Sequence, residues 1–375
     1  MINFVSINNF SAIPVLRYVI EDLSNLFCIN IIHCKIESQP FNLNVKYKEI
    51  CVGTFRNTSD FNNQTTVFKI IKYVRIYIEL LRICIRRKQI IISQDYQVIS
   101  IILSNYYLLR PLGNRLIYYQ FELFDFDHLS KKDKRMVTRM ITNIDMISLA
   151  IFPEINRLKY FCDIARYPAE RTFIFPNTCN TPQITKNCER RVEFSHIPKG
   201  ATVFGHVGNI GPDHYIKEFL KVIDEILDPE VYFVMVGRHS KEIISLFSGV
   251  KNSNLIVINE LPHSELRRIY PVIDYGLILY KGVDKNFEYC APNKLYEYWS
   301  YGIPVISHKV SGLTGVINDS LLGVTINFES IEFYSTLIRL SKEPKPNKES
   351  TQDYFCANLS ITSYLNKLRG YILSI

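Results

Sequence analysis

Short apolar runs alternate with longer helix-like segments along nearly the whole chain, and this alternation limits the folds that the sequence can adopt. Runs such as QIIIS at 89–93 and TFIF at 172–175 have the length of buried strands. In the second half, VYFVMVG and DYGLILY are continuous apolar runs, which are typical of strands covered on both faces. The pattern predicts an α/β fold built from open, doubly wound parallel sheets.

The length and one polar stretch divide the chain. At 375 residues it is longer than one typical domain. The alternation stops at 176–200, which is polar and contains several prolines, and it resumes afterwards. We predict a first domain over 1–178, a linker over 179–200 and a second domain over 201–354.

Several classes of protein are disfavoured by composition. The nine cysteines include no CxxC pair and no Cys/His cluster at zinc spacing, so we expect no disulfide framework and no metal. Asp125 and Asp127 form an Asp-Phe-Asp sequence. We interpret Asp127 or Ser130 as the cap of the helix that follows, and we do not interpret the sequence as a metal site. The sequence has no apolar stretch of about 18 residues and no basic-then-apolar leader, so we expect a cytoplasmic protein.

The positive charge is concentrated in the first half. Residues 1–186 contain 24 Lys and Arg against 15 Asp and Glu, whereas the remainder contains 20 against 21. Within 68–88, a helical projection gathers one set of charged side chains into an arc of about 140°. The set comprises Lys69, Lys72, Arg75, Glu79, Arg82, Arg86 and Arg87. Two interpretations stay open: a solvated face of a core helix, or contact with an anionic membrane surface at the inner membrane face. We expect no nucleic-acid partner.

Two segments of the second half suggest an anion site. Gly205, Gly208 and Gly211 follow a strand at intervals of three, which suits either a tight turn or a loop whose amides face an anion. This spacing is not the dinucleotide fingerprint.

The second segment is APNKLYEYWSYGIPVIS at 291–307. Pro292 suits a helix start and Gly302 its end, so we predict a helix from about Pro292 to Tyr301. Lys294 could join the free amides of its first turn in binding phosphate, and Glu297 could accept hydrogen bonds from ribose hydroxyls. A surface ion pair between Lys294 and Glu297 is the alternative.

These segments together resemble the retaining GT-B glycosyltransferases of the family 4-like branch. The resemblance covers roughly 115–325 and rests on VFGHVGNIG, VYFVMVG, DYGLILY and PNKLYEYWSYGIPVIS, with weaker likeness in LIYYQFELFDF, INRLKYF and FIFPNTCNTP. It implies two Rossmann-like domains facing a central cleft, with the C-terminal helix at 355–375 returning to the first domain. It also implies sugar transfer from a nucleotide sugar to an acceptor hydroxyl with retention of configuration, without a metal or other cofactor.

The resemblance also implies roles for particular residues. Glu297 would bind the ribose, and Lys294 with the helix amides would lie near the diphosphate. The further donor-binding residues would be Gly205, His206, Gly208, Asn209, Arg238, Pro292, Asn293 and Leu295. Glu122 and Glu288 would be the catalytic residues. Asn8, Asn9 and Arg157 would be the first domain's contribution to the cleft. The donor would be a UDP sugar, with GDP or ADP as alternatives, and the acceptor a glycan, a glycolipid or a small molecule.

The sequence departs from the family's pattern in two places. The family's first glutamate would fall at position 289, which is Tyr289, with Glu288 beside it. The Arg/Lys pair that follows the glycine loop in the family is missing, and only a displaced Lys217 is present. A non-catalytic scaffold subunit therefore stays open as an alternative function. A sugar-nucleotide epimerase fits less well, because no acidic triad is found.

Overall fold

The computed structural model describes residues 1–10, 13–105, 112–182, 191–239, 241–259, 261–317, 321–329 and 331–374. The chain divides into two compact units, one formed by 1–176 with 364–375 and the other by 177–363. Of the linker predicted at 179–200, residues 183–190 lie outside the described residues.

The first unit contains a seven-stranded parallel sheet with the order β3-β2-β1-β4-β5-β6-β7. Its elements in chain order are β1 (Ile2–Val5), α1 (Pro14–Leu23), β2 (Ile29–Ile36), β3 (Tyr47–Phe55), α2 (Thr58–Asn62), α3 (Thr66–Cys84), β4 (Ile90–Ser93), α4 (Tyr96–Ser104), β5 (Arg115–Tyr119), α5 (Lys131–Thr142), β6 (Ile147–Phe152), α6 (Ile155–Ala165) and β7 (Thr172–Ile174).

The second unit contains a six-stranded parallel sheet with the order β10-β9-β8-β11-β12-β13. Its elements are β8 (Thr202–Val207), α7 (Ile216–Glu225), β9 (Val231–Val236), α8 (Lys241–Phe247), β10 (Leu255–Ile258), α9 (His263–Leu266), β11 (Tyr275–Ile278), α10 (Lys285–Glu288), α11 (Asn293–Ser300), β12 (Val305–His308), α12 (Ser311–Ile317), β13 (Gly323–Ile326), α13 (Ile331–Lys342) and α14 (Lys348–Asn358). A last helix, α15 (Ile361–Ser374), begins in this unit and ends in the first.

Both sheets reverse their strand order once, and this reversal determines where a ligand can bind. The reversal lies between β1 and β4 in the first unit and between β8 and β11 in the second. Loops leave these strand pairs in opposite directions, so a crevice opens at the carboxyl ends of the strands. The predicted α/β class with two doubly wound sheets is confirmed.

Both faces of the second sheet are covered, as the continuous apolar strands predict. On β8, Val203 and Val207 pack into one apolar layer and Phe204 into the other. Every residue of β8 and β9 is buried. The sheet is therefore a rigid support for the loops at its carboxyl edge.

The predicted helix near 292–301 is confirmed as α11. Pro292 is its N-cap and Tyr301 its C-cap. Gly302 follows with a φ of +72°, and a Cβ at this position would lie 2.0 Å from the Lys348 carbonyl oxygen. Only glycine therefore suits the end of this helix.

The buried side of α3 differs from the one that the helical projection of the sequence indicated. Lys72, which we grouped with the exposed charges, is buried, and its Nζ lies 5.2 Å from the centre of the Phe61 ring. Ile76, Leu80 and Ile83 are buried beside it, whereas a separate apolar face of the helix is exposed. Position on a helical projection does not decide which arc meets the core, because that depends on the neighbouring elements. In the described part of the chain, no helix is both long and apolar enough to span a membrane.

Candidate functional site

A tight glycine loop forms the carboxyl end of β8, at the strand-order reversal of the second sheet. Gly208 has a φ of +124°, and its amide donates to the Val236 carbonyl oxygen at 2.8 Å. Gly237, which follows β9, has a φ of +148°, and a Cβ there would lie 2.0 Å from the Gly208 carbonyl oxygen. The backbones of the two loops are in direct contact here, and a side chain at Gly237 would separate them.

Replacing Gly208 with alanine should lower the free energy of unfolding by about 1–3 kcal/mol. The left-handed φ is unfavourable for an L residue, and the new Cβ would lie 3.1 Å from Lys294 Nζ. Urea denaturation measures the change. Gly211→Ala is a matched control in the same loop, because no atom lies within 4 Å of a Cβ at that position. Equal losses in the two variants would contradict the account of this loop.

Lys294, in the first turn of α11, points beneath the glycine loop. Its Nζ lies 3.1 Å from His206 Nε2 and 5.2 Å from the centre of the Tyr280 ring. His206 Nδ1 donates to the Leu277 carbonyl oxygen at 3.0 Å, which leaves Nε2 as the acceptor for the lysine amine. The side chain is only 8% exposed. A buried amine is thus held by a neutral imidazole and an aromatic face next to a loop of backbone amides.

Burial controls the protonation of this cluster. It lowers the pKa of Lys294 to about 7, although Glu297 and Cys290 raise it in part. Burial, with Lys294 and His214 nearby, holds the pKa of His206 well below its usual value. Burial and Lys294 lower the pKa of His214 to about 3. Both imidazoles are therefore neutral near pH 7, whereas Lys294 is poised to take up a proton when an anion approaches.

Glu297 lies one turn further along α11 and points to another partner. Its Oε2 accepts a hydrogen bond from the Tyr270 hydroxyl at 2.5 Å, and the side chain is half-buried. Lys294 is buried, so the two side chains are not a surface ion pair, although the Glu297 charge raises the pKa of Lys294. Tyr298, the next residue, donates to the Gly205 carbonyl oxygen at 2.9 Å and accepts from the Val207 amide at 2.8 Å. This buried hydroxyl connects α11 to the glycine loop.

The N-terminus of α11 faces the same region as Lys294. The N-cap residue, Pro292, has no side chain that could accept from the first-turn amides. Asn293 and Lys294 begin the helix, and Leu295 is buried in the core behind it. First-turn amides and the positive end of the helix dipole favour an anion at such a position.

The remaining residues predicted in the second unit have contacts of their own or are exposed. Asn209 and Arg238 are exposed in the loops after β8 and β9. Glu288 caps α12, because its Oε1 accepts from the Ser311 amide at 3.0 Å and also from the Ser311 hydroxyl. Gly205 packs against Ile273, and a Cβ on Gly205 would lie 2.4 Å from the Ile273 side chain. The structure therefore brings Gly208, Lys294 and His206 together and gives Glu288 a separate contact.

In the first unit, Asn8 and Asn9 lie at the carboxyl end of β1. Asn8 Nδ2 donates to Asp95 Oδ1 at 2.8 Å, and Asn9 Nδ2 donates to the Gln39 carbonyl oxygen at 3.1 Å. Asp95 Oδ2 accepts from the Ser6 hydroxyl and the Ile7 amide, at 2.6 and 2.8 Å. Burial raises the pKa of Asp95. One carboxylate thus orders the loop at the strand-order reversal of this sheet.

Glu122 and Arg157 are associated through the loop that follows β5. The Arg157 guanidinium is buried and donates to the carbonyl oxygen of Phe121. Glu122 is the next residue and is exposed. Glu154 is the N-cap of α6 and accepts from the Arg157 amide at 3.0 Å. Arg157 therefore positions the backbone that carries Glu122.

The Asp-Phe-Asp sequence follows this loop. Asp125 Oδ2 lies 2.9 Å from His128 Nδ1, and Ser130 is the N-cap of α5, accepting from the Asp133 amide. Among the residues that the structure describes, no group of three or more His, Cys, Asp or Glu could hold a metal ion.

Sequence reasoning did not single out four residues that complete these clusters. Tyr270 contacts Glu297, and Tyr280 contacts Lys294. The centre of the His214 ring lies 4.8 Å from the centre of the Tyr280 ring. Asp95 lies two residues after the end of β4, and an aspartate after a buried strand next to the reversal is a signal that could have been used. The two tyrosines had no such signal, because tyrosine is common throughout this chain.

The chain is similar to known proteins both in the sequence of its second unit and in its fold. Residues 201–343, which contain the glycine loop and α11, match the family model described as Glycosyl transferases group 1. Three solved structures are similar over nearly the whole chain: Anabaena HepE in complex with UDP and glucose, a trehalose-6-phosphate synthase, and WaaG, a glycosyltransferase involved in lipopolysaccharide biosynthesis. No curated protein matches the chain.

The likeness to these structures is one of fold. HepE is 12% identical with a TM-score of 0.70, covering 100% of this chain and 99% of its own. The synthase is 14% identical with a TM-score of 0.71 and the same coverages, and WaaG is 12% identical with a TM-score of 0.70, covering 98% of each chain. The chain therefore has the GT-B fold of glycosyltransferases.

Proposed function

We propose that this protein transfers a hexosyl group from a nucleotide sugar to an acceptor hydroxyl, with retention of configuration and without a metal. One observation carries the proposal: a buried ammonium and a half-buried carboxylate start the same helix, next to a glycine loop, within a group 1 domain. Lys294 and the amides of α11 would hold the diphosphate, and Glu297 would accept from the ribose hydroxyls.

The chemistry requires stabilisation of a departing nucleoside diphosphate. As the bond from the anomeric carbon to the phosphate oxygen breaks, negative charge grows on that oxygen. The Lys294 ammonium and the first-turn amides are fixed donors beside it, and they need no rearrangement during the reaction. These donors supply positive charge without a metal ion. His206 supports the reaction indirectly, because it holds the lysine amine beneath the loop.

We propose UDP as the nucleotide, with GDP and ADP as the other outcomes to be tested. The support comes from HepE, which has this fold and has been solved with UDP, with UDP-glucose, and with UDP and glucose. The proposed acceptors are a polysaccharide, a lipid-linked glycan or a small-molecule glycoside. Glu122, with its loop held by Arg157, would be the first unit's contribution near the acceptor.

A second candidate is a binding subunit without turnover. The observation that favours it is the contact of Glu288 with Ser311, because a carboxylate that caps a helix is occupied in a structural role. In that case Glu297 and Lys294 would still bind a nucleotide, but no sugar would be transferred.

A thermal-shift screen with UDP, GDP, ADP and CMP compounds tests the proposal. A ligand at a hundred times its Kd stabilises the folded state by about 2.7 kcal/mol, so the matching nucleotide should raise the Tm by several degrees. Incubation of the matching nucleotide sugar with acceptors should then release free nucleoside diphosphate. Binding without release would favour the second candidate. No shift with any of the four compounds would overturn both.

A further inference from the structure

The helix α3 carries a long apolar face that the folded unit leaves exposed. One side of the helix packs into the core of the first unit through Ile76, Leu80, Ile83 and Cys84. On the other side, seven large apolar side chains are between 38% and 68% exposed. These are Val67, Ile70, Ile71, Val74, Tyr77, Ile78 and Ile85, here called the α3 stripe. The described part of the chain has eighteen exposed large apolar side chains, and these seven are concentrated on this single helix and its C-cap residue, Ile85.

The α3 stripe is a continuous surface. At about 100° per residue its members fall within an arc of about 120°. From Val67 to Ile85 the stripe extends about 27 Å at the helical rise of 1.5 Å per residue. Soluble proteins rarely expose contiguous apolar patches of this kind unless the patch meets a partner or a membrane.

Basic side chains border both long edges of the stripe. On one edge, Arg75 and Arg82 follow one another along the helix and Arg86 lies just beyond its C-cap, Ile85. Glu79, which pairs with Arg82, is the only acidic residue of α3. On the other edge, Lys132 of α5 places its Nζ 5.7 Å from the centre of the Tyr73 ring. The same helix also carries Lys131, Lys134, Arg135 and Arg139.

We propose that the α3 stripe docks on an anionic lipid bilayer, with the helix axis parallel to the membrane plane. The apolar side chains would enter the boundary between head groups and acyl chains, and the basic borders would meet anionic head groups on either side. The charge pattern disfavours a second copy of this chain as the occupant, because a two-fold pairing of stripes would bring basic borders together. This inference stands independently of the proposed function.

Co-sedimentation with vesicles tests the proposal. The unaltered protein should bind vesicles of phosphatidylcholine mixed with phosphatidylglycerol, and it should bind much less to phosphatidylcholine alone. Raising the salt concentration should weaken the binding, because head-group attraction is screened. Equal binding to the two kinds of vesicle, or no binding to either, would overturn the proposal.

Charge placed within the stripe should remove the binding. Ile70→Glu and Ile78→Glu should each reduce the bound fraction at least fivefold. Ile244→Glu is the matched control, because Ile244 is 49% exposed on a helix of the second unit and Ile78 is 42% exposed. Far-UV circular dichroism confirms that each variant is folded. Equal loss in all three variants would contradict a specific role of α3.

A tryptophan reporter distinguishes insertion from surface attachment. The chain has one tryptophan, Trp299, which is fully buried and gives a constant background. Val74→Trp should shift its emission to shorter wavelength on anionic vesicles and should be quenched by brominated lipid. An unchanged emission spectrum would overturn the proposal. Dimers that light scattering detects and that Ile78→Glu dissociates would also overturn it, and they would indicate a second copy of this chain as the occupant.

Discussion

Replacing Lys294 with methionine should weaken binding of the donor nucleotide by about 1.5–3 kcal/mol, or roughly 10- to 150-fold. The ammonium is the cation beneath the glycine loop, and methionine keeps most of the apolar stem while removing its charge. Isothermal titration calorimetry with UDP measures the change. The loss should be smaller for uridine, which has no diphosphate, so the difference between the two ligands isolates the phosphate contact.

The same lysine predicts a pH dependence. In the free protein burial holds the pKa of Lys294 at about 7, so the amine loses its proton as the pH rises above this value. A bound diphosphate favours the charged form and raises the pKa, so binding takes up a proton. The affinity for the nucleotide sugar should therefore fall above pH 7, by at most about tenfold per pH unit. Lys294→Met should flatten this profile.

Lys217→Met is the matched control for both measurements. Lys217 is exposed on α7 and is the nearest basic residue in sequence after the glycine loop. It should change the affinity for UDP by less than twofold and should keep the pH profile. An equal effect in the two variants would show that long-range charge, rather than contact at Lys294, controls binding.

Replacing Glu297 with alanine should weaken donor binding by about 1–3 kcal/mol, the scale of hydrogen bonds made to a charged group. The carboxylate is half-buried and already accepts from the Tyr270 hydroxyl, so it is held in one orientation before a ribose arrives. Calorimetry with UDP and with 2′,3′-dideoxy UDP measures the effect. The unaltered protein should prefer UDP, and Glu297→Ala should bind the two ligands alike.

Glu329→Ala provides the control for this pair of ligands. Glu329 is an exposed glutamate of the same unit, and its Oε1 accepts from the Tyr215 hydroxyl at 3.1 Å, as Glu297 does from Tyr270. This variant should keep the preference for UDP. A preference that persists in Glu297→Ala would mean that the ribose binds elsewhere.

The strands and α11 could be predicted because their signals are local. VYFVMVG is a continuous apolar run that suits only a strand buried on both faces, and it forms β9. Pro292 and Gly302 fix the ends of α11 through restrictions on their own backbone, so no knowledge of tertiary contacts is needed.

The contacts of the site could not be predicted in the same way. Lys294 and His206 are 88 residues apart, and their contact depends on how α11 packs against β8. The exposed side of α3 was missed for a related reason. Its sequence contains both a basic and an apolar arc, and the packing of Phe61 against Lys72 helps to decide which arc faces the core. Pairings of this kind depend on several elements together, which no local pattern encodes.

A crystal structure of the protein with UDP tests the central claim most directly. The account predicts that the diphosphate lies within about 4 Å of Lys294 Nζ and accepts from amides of the first turn of α11. It also predicts that the ribose hydroxyls donate to Glu297. A UDP molecule bound away from the N-terminus of α11, with Lys294 still held only by His206 and Tyr280, would contradict it.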